Sequence, residues 1–178
     1  MNNKFNPYSK NVIFFDSEFS SMDPYIGEIL SVGLVKLTGE YLYLELEYNG
    51  PVDSWVEKNI IPTLLGPKIN RLEAINKINE FVGDSKPYVV SYVDQFDVIY
   101  LHKLFKSQSI KNSPFFWIPV DFASILFGIG INPEAYFPKD KDNFFKEIGV
   151  DALEFKHTHN ALDDARLLRE VYLKMSDL

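Results

Sequence analysis

Four consecutive apolar residues, Val12-Ile13-Phe14-Phe15, run directly into two acids, Asp16 and Glu18. Such a continuous aromatic and β-branched run is expected of a strand buried on both faces of a sheet. Side chains alternate along a strand, so Asp16 and Glu18 point to the same side of it. Two carboxylates aimed together repel unless something cationic lies between them. Magnesium or manganese meets that need, because hard divalent cations prefer carboxylate oxygens and keep positions open for water and phosphate. A strand this hydrophobic would not end in two aligned acids without such a reason. Asp-x-Glu is too short a motif to carry this alone. Glu45-x-Glu47 is the control: it falls in an alternating segment and reads as a pair on a solvated polar face.

The rest of the chain supplies a frame for that strand. Ile29 to Leu37 is a second strand-like run, and after Thr38-Gly39-Glu40 the alternation of Leu42, Leu44 and Leu46 with Tyr43, Glu45 and Glu47 marks a third, Tyr41 to Tyr48. Together they read as a three-stranded antiparallel meander. The period then changes: Ile69, Leu72, Ile75, Ile78 and Phe81 recur at helical spacing between Pro67 and Gly83. Tyr88 to Tyr92 reads as a short central strand, Phe96 to Phe105 as a helix, and Phe115 to Val120 as a fifth strand, weakened by Pro119. Short helices broken by glycine and proline follow, and Ala161, Leu162, Ala165, Leu168, Tyr172 and Met175 mark a closing helix. No repeat or linker divides the chain, so the expectation is one α/β domain over residues 1–178, with its core at about 11–175, on a mixed sheet of about five strands flanked by helices.

Composition narrows the chemistry. The 178 residues include no cysteine, which excludes disulfides, thiolate metal sites and cysteine nucleophiles; three histidines allow a His-rich zinc site only if carboxylates complete it, so oxygen ligands are expected of a metal here. With 18 Lys and Arg against 25 Asp and Glu, the net charge of −7 gives no broad basic field for coating long nucleic acids. A nucleic-acid enzyme remains compatible with that charge, since metal ions held by carboxylates invert the local sign and receive phosphate. No apolar stretch is long enough to span a membrane and the N-terminus has no secretory pattern, so a cytoplasmic protein is expected.

Two further groups can act with Asp16 and Glu18. His159-Asn160-Ala161-Leu162-Asp163-Asp164-Ala165 opens the last helix. His159 and Asp164 are five apart, about 140° around a continuous helix, so they converge only if His159 sits in the loop ahead of it. Asn160 is a suitable N-cap for that arrangement, which leaves His159 mobile while Asp164 is held rigidly. The bland alternative is that Asp163 and Asp164 complement the helix dipole and His159 is a surface residue. His157 has no acid at the same spacing and reads as structural. Asp97 begins the helix after Tyr88–Tyr92, where dipole complementarity alone explains an acid; Asp94 and Asp121 read the same way.

Taken in order, Asp16, Glu18, Asp97, His159 and Asp164 resemble the DEDDh 3′-to-5′ exonuclease family of the ribonuclease H-like superfamily. The resemblance rests on Phe15-Asp16-Ser17-Glu18-Phe19, Gln95-Phe96-Asp97 and His159 through Ala165, and spans residues 12 to about 172. Within that family the chain is most similar to the small mycobacterial-type exoribonucleases. It departs from many relatives in having Tyr92-Val93 where they have His-Asn ahead of the second-block acid. The resemblance implies a ribonuclease H-like fold and two-metal phosphodiester hydrolysis. Two magnesium or manganese ions would be held by Asp16, Glu18 and Asp164, with Asp97 a direct or water-mediated ligand, and His159 would be general base. Ser17, Phe19 and Tyr92 are the candidate substrate contacts, Phe19 as a stacking or wedge residue, with Trp55 among further aromatic candidates. The implied partner is the 3′ end of single-stranded RNA or DNA, and a homodimer is suggested by analogy. A DNA exonuclease of the proofreading type would use the same site. A catalytically silent nucleic-acid-binding domain would retain the fold without the activity.

Overall fold

The computed structural model describes residues 10–106, 113–136, 141–151 and 159–176. Strand β1 (Val12–Phe19) lies inside a six-stranded sheet of order β4-β3-β2-β1-β5-β6. The remaining strands are β2 (Ile29–Lys36), β3 (Tyr41–Leu46), β4 (Lys68–Ile69), β5 (Tyr88–Ser91) and β6 (Val120–Asp121). The expected meander is present: β1 pairs antiparallel with β2, and β2 with β3. β5 joins the other side of β1 in parallel, with Val12, Ile13 and Phe14 opposite Tyr88, Val89 and Val90, and β6 extends the sheet beyond it. Asp16 and Glu18 do not end β1 but lie within it, because β2 continues to pair beside them, Asp16 opposite Gly33 and Glu18 opposite Ser31.

Helices cover both faces. Phe14, Val35 and Val90 pack with residues of α4 (Phe122–Gly128), α5 (Lys141–Ile148) and α6 (Ala161–Ser176). Ile13, Phe15, Val32 and Val89 pack with α2 (Arg71–Val82) and α3 (Gln95–Phe105). Successive residues of β1 therefore serve opposite layers, as a strand requires. A small third cluster of Leu30, Val56, Ile60 and Leu64 seats α1 (Ser54–Asn59) and the 3-10 turn Ile61–Thr63. No helix among the described residues is long and apolar enough to cross a membrane.

Four local expectations are corrected. The sheet has six strands because Lys68–Ile69 pairs in parallel with Glu45–Leu46, an element too short to show alternation. Helix α2 therefore starts after Pro67, at Arg71, where the Asn70 side chain accepts from the Glu73 N–H at 3.0 Å. It buries Ala74, Ile78 and Val82 and leaves Leu72 67% exposed. In the Phe115–Val120 segment only Val120 joins the sheet, with Asp121, while Phe115 packs into the core and Trp117 and Ile118 are exposed. Proline at 119 has no N–H to give a ladder there. Glu45 is not solvated but 3% exposed, since the chain around Gly66 folds over it: its Oε1 accepts from Gly66 N–H at 2.9 Å and from Tyr43 Oη at 3.1 Å.

One close approach places α6 against the sheet. A Cβ on Gly33 would lie 2.2 Å from the Ala161 carbonyl oxygen and 2.5 Å from Leu162 N. Glycine opposite Asp16 is thus what lets the first turn of α6 reach that strand pair. Gly33→Ala is expected to destabilise the protein by about 2–3 kcal/mol through overpacking against backbone that cannot yield. Urea unfolding checks this, and wild-type stability in the variant would contradict the described contact.

Candidate active site

The site assembles where β1, β2 and α6 meet. Asp16 and Glu18 are fixed on the α6 face by strand pairing, and Asp164 comes down onto them from the first turn of α6. Each of the three offers an oxygen, and these atoms all lie within 4.8 Å of one another. The helix start is built as its sequence suggests: Asn160 Oδ1 accepts from Leu162 N–H at 3.1 Å and Asp163 N–H at 3.3 Å. His159 precedes the helix in a left-handed conformation, φ 50°, which turns the chain into it. It is better anchored than a mobile loop residue. Thr63 Oγ1 shares its proton between the Ile60 carbonyl at 2.8 Å and the His159 carbonyl at 3.3 Å, and the His159 ring meets Trp55 edge-on at 5.0 Å. Thr63 lies 96 residues away in the chain, and no motif pointed to it.

Asp97 stands apart from the three-carboxylate group. It is buried on the α3 side, where its Oδ1 accepts from Ser17 Oγ at 2.6 Å. Ser17 alternates with Asp16 and Glu18, so its hydroxyl faces the opposite layer and is spent on holding Asp97. Of the aromatic candidates, Phe19 is stacked on Tyr100 at 4.4 Å and Tyr92 on Tyr136 at 4.1 Å, with the Tyr92 hydroxyl donating to the Pro133 carbonyl. Trp55 is 54% exposed beside His159. His157 lies outside the described residues. Val93 has φ 58°, rare for a β-branched residue, and its N–H donates to Asp121 Oδ1 at 3.0 Å. Asp121 also caps α4, accepting from Ala123 and Ser124 N–H.

The electrostatics call for a cation. Burial, then the charges of Asp97, Asp164 and Glu18, hold the Asp16 carboxyl well above the ordinary range. Burial, then Asp164 and Asp97, push Glu18 up to about 8. Asp97 rises to about 7, chiefly through burial and against the lowering effect of the Ser17 hydrogen bonds. Three carboxylates converging in a partly buried space fit hard divalent ions as a donor set.

A thermodynamic consequence follows from these raised values. The native state keeps protons on Glu18 and Asp97 that the unfolded chain gives up at ordinary carboxylate pKa, so native binds more protons and stability falls as pH rises. The metal-free Tm is expected to drop between about pH 4.5 and 8, the interval between the ordinary and raised Glu18 values. Manganese should restore it, and by more at the higher pH, because ligands must lose their protons to bind. Thermal melts with EDTA or Mn²⁺ across that range check both signs. A metal effect independent of pH would contradict the coupled cluster.

No protein-family model matches the chain, and no curated protein does. Solved structures do. Exonuclease I from Methylocaldum szegediense is 17% identical with a TM-score of 0.61, over 92% of this chain and 39% of that one. E. coli Exonuclease I in complex with a dT13 oligonucleotide is 15% identical with a TM-score of 0.60, over 92% and 40%. A chain in the structure of the yeast NOT1 MIF4G domain co-crystallized with CAF1 is 11% identical with a TM-score of 0.54, over 92% and 79%. The fold is therefore the mixed-sheet, ribonuclease H-like one that these structures share. The chain spans about two fifths of the Exonuclease I chains it matches.

Proposed function

We propose that this protein is a cytoplasmic, metal-dependent 3′-to-5′ exonuclease, a single domain that hydrolyses phosphodiester bonds from the 3′ end of single-stranded nucleic acid and releases nucleoside 5′-monophosphates. The observation that carries the reading is the convergence of Asp16, Glu18 and Asp164 oxygens within 4.8 Å, with His159 ahead of the same helix. Asp16, Glu18 and Asp164 would hold two magnesium or manganese ions, with Asp97 taking part directly or through water. What such ions supply when bound is a lowered pKa for the attacking water and neutralisation of the leaving 3′ oxygen. His159 takes the proton from that water, a task suited to an imidazole near neutral pH. Ser17 orients Asp97. Phe19 and Trp55 are the proposed base contacts, and Tyr92 shapes the pocket through its stacking on Tyr136 and its hydroxyl's bond to Pro133.

RNA is the proposed substrate, on the resemblance to the small exoribonucleases, and a homodimer is proposed by the same analogy. DNA is the second reading. It is favoured by the likeness of the fold to Exonuclease I structures holding dT13 and dA16 oligonucleotides. End-labelled RNA and DNA of one sequence, digested side by side with Mg²⁺ or Mn²⁺, decide between them. Faster loss of RNA from its 3′ end is expected, faster loss of DNA establishes the second reading, and no metal-dependent loss of either leaves a silent binding domain.

A further inference from the structure

A fourth carboxylate is buried on the sheet face that carries Asp16 and Glu18, and the metal cluster does not include it. Glu45 stands opposite Ser31, and Ser31 opposite Glu18, so the three share one row across β3, β2 and β1. Its cation is distant, with Lys68 Nζ 3.9 Å from Oε2, and that oxygen is inaccessible and makes no hydrogen bond among the described residues. Oε1 does the binding, accepting from Gly66 N–H at 2.9 Å and from Tyr43 Oη at 3.1 Å. A carboxylate buried with so loose a counter-ion costs free energy that a leucine would avoid, which points to a use for the group. What Glu45 grips is the end of the segment 60–66. Ile60 and Leu64 of that segment are buried with Leu30 and Val56. Thr63, between them, turns its hydroxyl to the His159 carbonyl at 3.3 Å as well as to Ile60. The fit at the grip is close, since a Cβ on Gly66 would lie 3.1 Å from Glu45 Oε1. His159 needs such support: its φ of 50° is a conformation that a non-glycine residue keeps only where its neighbours over-determine it.

Resting on the reading of His159 as general base, we propose that Glu45 is a positioning residue for that imidazole: its carboxylate clamps Gly66, and the clamped segment presents Thr63 to the His159 backbone. Glu45 touches neither substrate nor metal in this role. It acts through a strap that runs from Gly66 to Thr63 and ends on the residue whose ring Trp55 meets. A base is effective only when held in place, and a misplacement of about 1 Å can cost about 10²-fold in rate.

Glu45→Gln keeps an oxygen for Gly66 and Tyr43, whereas Glu45→Leu fills similar space without one. Rates on an end-labelled oligonucleotide at saturating Mn²⁺ compare the wild type, both variants, His159→Ala and the double variant Glu45→Leu/His159→Ala. Glu45→Leu is expected to lower kcat by about 10- to 100-fold, with KM and the Mn²⁺-induced rise in Tm unchanged. Glu45→Gln should keep kcat within about threefold, and the double variant should be no slower than His159→Ala alone, because residues that act as one unit are not additive. A second readout needs no turnover. The chain has three histidines, so the His159 ring signals in an NMR spectrum are identified by their loss in His159→Ala. The shift that the Trp55 indole imposes on them should shrink in Glu45→Leu and persist in Glu45→Gln. Thr63→Val severs the next link of the strap and should reproduce the Glu45→Leu result, which decides the matter if Glu45→Leu does not fold. An unchanged His159 signal in either strap variant overturns the proposal. So does full kcat in Glu45→Leu beside a slow His159→Ala, or a loss that persists undiminished in the double variant, which would mean that the acid serves the fold at large. A wild type that hydrolyses no oligonucleotide, or a His159→Ala with full kcat, refutes the general-base reading instead, and the His159 signal still decides whether Glu45 places the ring.

Discussion

Asp16→Asn and Asp164→Asn should each lower nuclease turnover by about 10³-fold or more while the fold stays intact. Each removes one of the three oxygens' charges from a cluster that spans 4.8 Å. The charge stabilisation that a bound divalent ion gives a transition state is several kcal/mol, and each 1.36 kcal/mol is about a factor of ten in rate. Asparagine keeps the shape, so lost packing cannot account for the effect. Asp16→Asn should also raise the metal-free Tm at pH 8, because Asp16 is held well above its ordinary pKa by burial and by its acidic neighbours. Activity lost together with metal-free stability gained separates a metal ligand from a structural acid, whose removal would lower both. Near wild-type turnover by either soluble variant would refute the assignment of that residue.

Much of this site was legible because its parts follow local rules. Strand alternation put Asp16 and Glu18 on one face, and the Asn160 cap separated His159 from the helix that carries Asp164. The meander was readable for the same reason, since β1, β2 and β3 each show their own apolar pattern. What escaped the sequence is what depends on distant chain segments. Glu45 looked like the outward half of an alternating strand, and only the chain at Gly66 and the short β4 beside it bury that carboxylate. Asp97 could be named from the family resemblance, but its bond to Ser17 joins residues 80 apart in the chain. Ser17 itself shows the limit of a motif: proximity in sequence to two site acids suggested a substrate contact, whereas alternation turns its hydroxyl to the other layer.

The general base is the role most open to a direct kinetic test. His159→Ala should lower kcat by roughly 10²–10⁴-fold, the usual worth of a positioned base. The Mn²⁺-induced rise in Tm should stay as in the wild type, since His159 is not among the three clustered ligands. Its surroundings favour that separation of roles. Thr63 holds its backbone and Trp55 its ring, both from the α1 region rather than from the strands that carry Asp16 and Glu18. Wild-type activity should increase with pH as the imidazole loses its proton, although the deprotonation of Glu18, pushed up to about 8, acts in the same direction by favouring metal binding. The variant is therefore the necessary comparison: at saturating metal, the limb that His159 contributes should vanish and the metal-binding limb should not remain to imitate it. Direction can be read in the same assays. A 3′-phosphate should strongly slow removal of nucleotides, and a circular substrate should resist cleavage, if the site receives a free 3′ terminus. Full kcat in His159→Ala would remove the histidine from the mechanism, and a circle cut as fast as its linear form would remove the exonuclease direction while leaving the metal site in place.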